Sequence, residues 1–209
     1  MTVVGLDFGN ESVVVAVAAN RGVDIVLNMA CNRATPVYIT FTKRGSRLFG
    51  DVALESHVGN SACTVHNLKR LIGRRYDDPV VQQEFRNMTI KCQETSDGMI
   101  SCIIPICKRN EVGDLVAACE SLTPVELLAA FLSVVRSDAS KSLCADVSDC
   151  VLSCPTFFKQ SQRLALLDAA RIAKWNVLRL LHETSASLVA YCIPRKWDES
   201  HTVAISRAT

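Results

Sequence analysis

The sequence predicts an α/β fold in which helices pack on a mixed sheet and a smaller α+β segment is inserted into the chain. Three observations support this fold class. Val3 to Ala18 holds two β-branched runs around a tight turn, an irregular region follows, and the last third alternates helical and strand patterns. A strand meander followed by βαβα units is typical of a mixed sheet with packed helices.

The N-terminal elements follow from β-branched residues and turn signals. "TVVGLDFG" and "SVVVAVAA" predict a hairpin, "DIVLNMA" a third strand, and "TPVYITFT" a fourth strand that Pro36 opens. Asp51 to Arg70 predicts helix, and "TVHNLKRLIGRRYDDP" predicts a helix that Gly73 closes before a polar loop. Asn87 to Leu115 predicts short strands broken by polar turns.

The C-terminal elements have clearer boundaries. Thr123 and Glu126 form a capping box around Pro124, which predicts the start of a helix. "DCVLSCP" and "NVLRLL" predict strands, and "KQSQRLALLDAARIA" and "ETSASLVAYC" predict the helices that follow them. The tail "RKWDESHTVAISRAT" predicts a polar connector and one more strand, which would lack its next neighbour, so we expect a chain that is cut or ends differently from its relatives.

Composition limits the class of protein. Of 209 residues, 49% are apolar and 21% charged, which is enough for a real core, and a net charge of +2 argues against a dedicated nucleic-acid binder. Asp7 interrupts the first apolar run, so no secretory signal is predicted, and "LLAAFLSVV" is too short to span a bilayer. We therefore predict a cytoplasmic protein that binds neither membrane nor nucleic acid.

Ten cysteines are scattered singly, mostly inside apolar runs, and no CxxC occurs. The four histidines do not join them at the spacing of zinc ligands. We predict buried thiols in a reducing compartment, with disulfides or a metal site as the alternatives.

The opening turn is a candidate phosphate-binding hairpin. Gly9 has no Cβ, so a polyanion could approach the backbone N–H groups, and Asp7 at the end of the strand could hold a magnesium ion through water. Taken alone, this pattern is equally typical of a plain Asp-Gly turn.

Three further motifs come in a specific order. "NRATPVYITF", "NLKRLIGRRYDDP" and "CPTFFKQSQRLALLDAARIAKWNVLRLLHETSASLVAY" resemble the nucleotide-binding domain of 70-kDa heat-shock proteins, and the resemblance covers Val3 to about Lys196. The turn "GNES" and the stretch "NRGVDIVLN" look closer to the 110-kDa branch, whose members are nucleotide-exchange factors for 70-kDa chaperones.

The resemblance implies the actin-like ATPase (ribonuclease H-like) fold, of which this chain would form the first lobe only. It implies a core subdomain from residues 1–36 and 112–209 and a smaller inserted subdomain from residues 37–111. ATP in this fold lies between two lobes, so the chain would hold half of the cleft and would be inactive as an ATPase by itself.

The resemblance also implies roles for individual residues toward ATP or ADP and Mg²⁺. Lys69 matches a lysine that reaches the β/γ-phosphate region, where stabilising charge is most of the catalysis. Glu183 matches an acid that orders the metal's water shell, and Asp7 matches the carboxylate that holds the metal through water. The predicted phosphate loop consists of Gly9, Asn10, Glu11 and Ser12. The residues predicted to couple the nucleotide-binding and client-binding domains are Pro155 and Arg163.

Each of these residues also has a structural interpretation. Lys69 could belong to a solvated basic face with Arg70, Arg74 and Arg75, since a run of cations most often lies in solvent. Glu183 could be a helix N-terminal acid that the helix dipole favours. Arg163 could pair with Asp168 on its own helix, and His66 and His182 are interpreted as structural.

Some residues depart from the family pattern. Glu11 replaces a neutral hydroxyl, which would cost about 1–4 kcal/mol beside a phosphate unless its side chain points away. Thr184 and Ser185 replace a proline and a threonine, and Lys174 with Trp175 replaces a Gly-Leu-like pair.

The predicted function is that of an ATP-binding chaperone whose partners are a 70-kDa heat-shock protein and unfolded clients. The alternative is a truncated, non-catalytic actin-like binding module that has lost the nucleotide. An actin-like sugar kinase would not carry "KRLIGRR" or "LRLLHETSAS".

Overall fold

A computed structural model of the chain describes residues 2–19, 22–42, 45–109, 115–195, 200 and 202–205. The strands are β1 (Val3–Phe8), β2 (Ser12–Ala19), β3 (Gly22–Val26), β4 (Thr35–Pro36), β5 (Ile39–Phe41), β6 (Arg47–Phe49), β7 (Thr64–Val65), β8 (Lys91–Glu94), β9 (Ile100–Arg109), β10 (Leu115–Leu122), β11 (Asp149–Cys154) and β12 (Asn176–His182). The helices are α1 (Gly50–Ser56), α2 (Leu68–Leu71), α3 (Pro79–Asn87), α4 (Pro124–Ser142), α5 (Gln160–Ile172) and α6 (Glu183–Cys192).

The main sheet is mixed. Its strand order is β12-β11-β1-β2-β3, and β4 also pairs with β2. The pairs β1–β11 and β11–β12 are parallel, whereas β1–β2 and β2–β3 are antiparallel. A hairpin can join antiparallel neighbours, but parallel strands need a crossover, which α5 supplies between β11 and β12.

The period-two alternation of β1 and β2 gives the sheet two different faces. Val4, Leu6 and Phe8 are buried with Val13 and the next alternate residues of β2, and α4 packs on that face. Trp175 fixes the join with α4, because its indole N–H donates to the carbonyl of Leu132 at 3.1 Å. Asp7 points to the opposite face of the sheet, which α4 does not cover.

The segment between β4 and α4, residues 37–123, is the inserted segment, and it forms two small antiparallel sheets, in the orders β6-β5-β7 and β10-β9-β8. Thr40 and Thr64 join β5 to β7 through a buried hydroxyl pair at 2.8 Å. The subdomain boundaries implied by the resemblance stay a prediction.

Several predicted elements match the structure, while the helix expected from Asp51 to Arg70 is wrong. The helix α1 ends at Ser56, a 3₁₀ turn covers Ser61–Cys63, and β7 follows. Pairing of β7 with β5 takes Thr64 and Val65 out of any helix, because two β-branched residues gain a buried cross-strand contact.

Two further predictions of secondary structure are corrected. "TPVYITFT" is not one strand but two, β4 and β5, in different sheets, because the amide of Tyr38 donates to the carbonyl of Pro36 at 2.9 Å and forms a three-residue turn between them. The helix predicted before Gly73 is only the four residues of α2, since Ile72 is extended and Gly73 has φ +65°. Residues 202–205 of the tail form no strand, and the rest of the predicted tail strand lies outside the described residues.

The prediction of buried thiols is right for only part of the set. Cys102, Cys150 and Cys154 are buried, but Cys31, Cys119 and Cys144 are exposed, and Cys63, Cys92 and Cys192 are half-buried. The side chain of Cys107 lies outside those described. No helix in the described ranges has both the length and the apolarity that crossing a bilayer requires.

Candidate functional site

The turn between β1 and β2 requires glycine at position 9. The amide of Gly9 donates to the Ser12 carbonyl at 2.9 Å, and a Cβ on Gly9 would lie 2.5 Å from that same oxygen. Any larger residue would force the two ends of the turn apart. The Glu11 carbonyl is taken by Val37, and the Glu11 side chain is exposed to solvent.

Asp7 is held in place by a serine from the neighbouring strand. The hydroxyl of Ser153 donates to Asp7 Oδ1 at 2.7 Å and accepts from the amide of Phe8 at 2.9 Å. The parallel register sets Leu6 opposite Leu152, so the next residues along both strands meet at the carboxyl end of the sheet. Sequence reasoning missed Ser153; its signal is a single hydroxyl inside the apolar strand "DCVLSC".

Lys69 lies in the interior, which corrects the solvated-face interpretation for this residue. It is 4% exposed, and its ammonium donates to the carbonyl of Phe8 and to Glu183 Oε1. The ammonium also lies 5.5 Å from the centre of the Phe8 ring. A buried cation needs such compensation. Arg70 and Arg75 do reach solvent, with side chains 49% and 62% exposed, whereas Arg74 is 15% exposed and pairs with Asp78.

Glu183 is the first residue of α6, directly after β12. Its carboxylate therefore benefits from the helix N-terminus and pairs with Lys69 as well, so the structural interpretation and the site geometry are compatible. Burial raises the pKa of the nearby Cys154 thiol, which favours its neutral form beside these charges.

One cavity of about 660 Å³ brings several of the predicted site residues together on the face of the sheet opposite α4. Asp7, Gly9, Lys69 and Glu183 all line it, although they come from three distant segments of the chain. Asn10 and Glu11 lie in the hairpin turn and Ser12 begins β2, and none of the three lines the cavity. Residues of the sheet and of α6 complete its wall, including Ser153, Thr184, Ala186 and Ser187.

Asn10 faces the inserted segment instead. Its amide nitrogen donates to Asn67 Oδ1 at 3.2 Å, and the Asn67 amide nitrogen donates to Glu84 Oε2 at 3.2 Å. Glu84 is 2% exposed and is also paired with Arg70. Asn67 has φ 57°, a left-handed conformation that asparagine tolerates, and no signal in the sequence identified it.

Pro155 and Arg163 lie beside the cavity rather than in its lining. Pro155 is buried directly after β11, and Arg163 donates to the Phe158 carbonyl at 3.0 Å. The Arg163 guanidinium also lies 3.1 Å from His182 Nε2, one residue before Glu183. The alternative pairing of Arg163 with Asp168 is wrong, because Asp168 pairs with Arg171 at 2.9 Å.

Within the described ranges, no group of three or more His, Cys, Asp and Glu side chains forms a direct metal site. Asp7 and Glu183 contribute two carboxylates to the same cavity. This arrangement is compatible with a metal ion that keeps part of its water shell.

Comparison with known proteins supports the same family over nearly the whole chain. A family model described as Hsp70 protein matches residues 3–206. The chain is 40% identical to heat shock 70 kDa protein 16 of Arabidopsis thaliana over 193 residues, which are 92% of this chain and 24% of that protein. It is 39% identical to heat shock 70 kDa protein 14 of the same plant over 92% of this chain and 22% of that protein.

A fungal relative extends the comparison. The chain is 35% identical to a heat shock protein homolog of Candida glabrata over 187 residues, which are 90% of this chain and 26% of that protein. The chain thus spans about a quarter of the length of the curated relatives it matches. These relatives confirm the predicted resemblance to the heat-shock 70 superfamily and its 110-kDa branch, and with it the actin-like ATPase fold. The chain belongs to the Hsp70 protein family.

Proposed function

We propose that this chain is the N-terminal part of an ATP-binding domain in a cytoplasmic chaperone of the heat-shock 70/110 superfamily. The observation that carries the proposal is the meeting of Asp7, Gly9, Lys69 and Glu183 around one cavity. The protein containing this domain would act as a nucleotide-exchange factor or co-chaperone for a 70-kDa heat-shock protein and would engage unfolded clients.

The donor set fits a magnesium-bound polyphosphate. Asp7 and Glu183 supply hard carboxylate oxygens that would hold Mg²⁺ through water, and a bound Mg²⁺ would neutralise charge on the phosphate oxygens. Gly9 adds backbone atoms to the cavity lining, although its own amide is already taken by the Ser12 carbonyl. These groups match what binding of a polyanion with its metal requires.

The chain's own residues position this set before any ligand binds. The Ser153 hydroxyl holds the Asp7 carboxylate in one orientation, and the Phe8 carbonyl and Glu183 hold the Lys69 ammonium at the cavity wall. Fixed charges of this kind need little reorganisation when a ligand arrives. Glu11 is exposed and does not line the cavity, so solvent would screen its extra negative charge from a phosphate there.

Titration of the chain with ATP, with and without Mg²⁺, tests the proposal. We expect binding too weak for calorimetry, since the chain provides one wall of a two-lobed cleft, but we expect amide NMR shifts at Gly9 and Glu183 with millimolar Mg-ATP. Lys69→Met should abolish these shifts, whereas Lys91→Met, which alters an exposed lysine of β8, should preserve them. Shifts that are the same in all three proteins would contradict a site at the cavity.

A second candidate function is a binding module that has lost the nucleotide. The Lys69–Glu183 ion pair favours it, because the lysine charge is already partly neutralised inside the protein. A titration in which Mg-ATP shifts no amide around the cavity would support this module over the first proposal.

A further inference from the structure

Cys92 and Cys102 form a close thiol pair on the inserted segment, and neither lines the cavity that holds Asp7 and Glu183. Cys92 lies in β8, at the edge of its sheet, directly opposite Cys102 in β9, and their Sγ atoms are 3.5 Å apart. Cys102 is completely buried, whereas Cys92 is half-buried and so reaches solvent. The pair therefore combines one accessible sulfur with one shielded sulfur in contact with it.

The strand register places the two cysteines where a disulfide can form. The amide of Thr95 donates to the Met99 carbonyl at 2.9 Å, so Thr95 and Met99 form a hydrogen-bonded pair at the end of the hairpin. Hydrogen-bonded and non-hydrogen-bonded pairs alternate along an antiparallel ladder, so Cys92 and Cys102, three residues along each strand from that pair, form a non-hydrogen-bonded pair. In such a pair the side chains lie closest and the Cα atoms are about 4.5 Å apart. That separation lies within the range of protein disulfides, so the strands would not need to move apart or together by much.

The two thiols differ in reactivity. The hydrogen bond with Cys102 lowers the pKa of Cys92, while the same bond and burial raise the pKa of Cys102. The thiolate is the nucleophilic form of cysteine, so Cys92 is the sulfur that reacts first. Cys102 keeps its proton and stays within reach of the product.

We propose that Cys92 and Cys102 are an oxidation site at which a hydroperoxide forms a reversible disulfide across β8 and β9. The Cys92 thiolate attacks the terminal oxygen of the hydroperoxide, the O–O bond breaks, and Cys92 becomes a sulfenic acid while the alkoxide leaves, which is hydroxide in the case of hydrogen peroxide. The Cys102 sulfur then attacks the Cys92 sulfur, the S–O bond breaks, and water leaves with the Cys102 proton. A small-molecule thiol reverses the bond by exchange.

Peptide mapping of the peroxide-treated chain tests this site. Asp97 lies between the two cysteines, so cleavage before aspartates places Cys92 in one peptide and Cys102, together with Cys107, in the next. Fragment masses of the joined peptides then assign the disulfide to Cys102 or to Cys107. We expect this joined pair after treatment with hydrogen peroxide and its loss on addition of dithiothreitol. Cys92→Ser should abolish it, and Cys63→Ser, which removes another half-buried thiol, should leave it unchanged.

A trapping experiment separates this chemistry from a structural role. In Cys102→Ala, peroxide should leave a sulfenic acid on Cys92 that a dimedone probe labels, whereas the unaltered chain should show little label because Cys102 consumes the intermediate. If Cys102→Ala does not fold, the mapping result on the unaltered chain decides alone. Recovery of both thiols unoxidised, or joining of Cys92 to a different cysteine, would overturn the proposal.

Discussion

Lys69 and Glu183 stand 114 positions apart in the chain and form an ion pair at the cavity wall. Their side chains are 4% and 15% exposed, so solvent screens the pair only weakly. The contact links α2 of the inserted segment to the N-terminus of α6, next to the main sheet. The pair thus contributes both to the charge of the cavity and to the join between two parts of the structure.

We expect Glu183→Ala to lower the free energy of unfolding by about 3 kcal/mol, because it removes one member of a pair whose lysine is buried. The double variant Lys69→Met with Glu183→Leu should lose less than the sum of the losses of Lys69→Met and Glu183→Leu measured singly, since no buried charge remains there. Urea unfolding followed by circular dichroism measures these losses. Lys91→Met should stay within about 0.5 kcal/mol of the unaltered chain, and additivity of the two single effects would contradict the coupling.

The turn at Gly9 makes a second prediction. Gly9→Ala should lower the free energy of unfolding by about 1–3 kcal/mol, because the new Cβ would overlap the Ser12 carbonyl, which belongs to the backbone. Gly59→Ala is the matched control, since a Cβ there would have no atom within 4 Å. Thermal unfolding of the two variants compares them, and equal melting temperatures would show that the turn tolerates a side chain.

Local patterns in the sequence predict those parts of the fold that neighbouring residues determine. The alternation of Val4, Leu6 and Phe8 indicates a strand with one buried face, and the Thr123–Glu126 capping box marks the start of α4. Asp7 and Gly9 can likewise be picked out as a turn that could bind phosphate, because both lie in one short segment.

Features that depend on contacts between residues far apart in the chain cannot be predicted from local sequence patterns. Lys69 lies among basic residues that are typical of a solvent-exposed face, and only the Phe8 carbonyl and Glu183 explain its burial. Ser153 becomes part of the site only through the β1–β11 register. The helix predicted across Thr64 fails because β5 pairs with that residue, which tertiary contact alone decides.

His66 makes the stability of the inserted segment depend on pH. Burial lowers the pKa of its imidazole below the ordinary value of 6.5, the charge of His57 adds to this effect, and the hydrogen bond with Asn67 and the charge of Glu84 oppose it. The unfolded chain therefore binds a proton at a higher pH than the folded chain, so stability falls as the pH drops below about 6.5.

The His66 contribution is measured by urea unfolding at several pH values between about 8 and about 5.5. Because His66 binds a single proton, its contribution to the slope of the unfolding free energy against pH cannot exceed about 1.4 kcal/mol per pH unit. Glutamine does not titrate, so His66→Gln should make the unfolding free energy depend less steeply on pH. The substitution also removes the stacking between the His66 and Tyr38 rings, whose centres are 5.4 Å apart. An identical slope in both proteins would assign the pH dependence to other groups.

Lys174 occupies a backbone position that suits glycine. It has φ 63°, directly after the C-cap of α5, and its amide donates to the Arg171 carbonyl at 2.9 Å. The amide of Trp175 donates to the Ala170 carbonyl, also at 2.9 Å, which completes a Schellman motif. A residue with a Cβ is strained by about 1–2 kcal/mol in this left-handed conformation.

Lys174→Gly should therefore raise the free energy of unfolding by about 1 kcal/mol, because relief of that strain outweighs the greater freedom that glycine gives the unfolded chain. Lys141→Gly is the opposing control: Lys141 lies in the last turn of α4, where glycine should cost about 0.5–1 kcal/mol. Urea unfolding midpoints of the two variants should thus move in opposite directions. A decrease in both would mean that the Lys174 side chain stabilises the fold by more than its backbone strain costs.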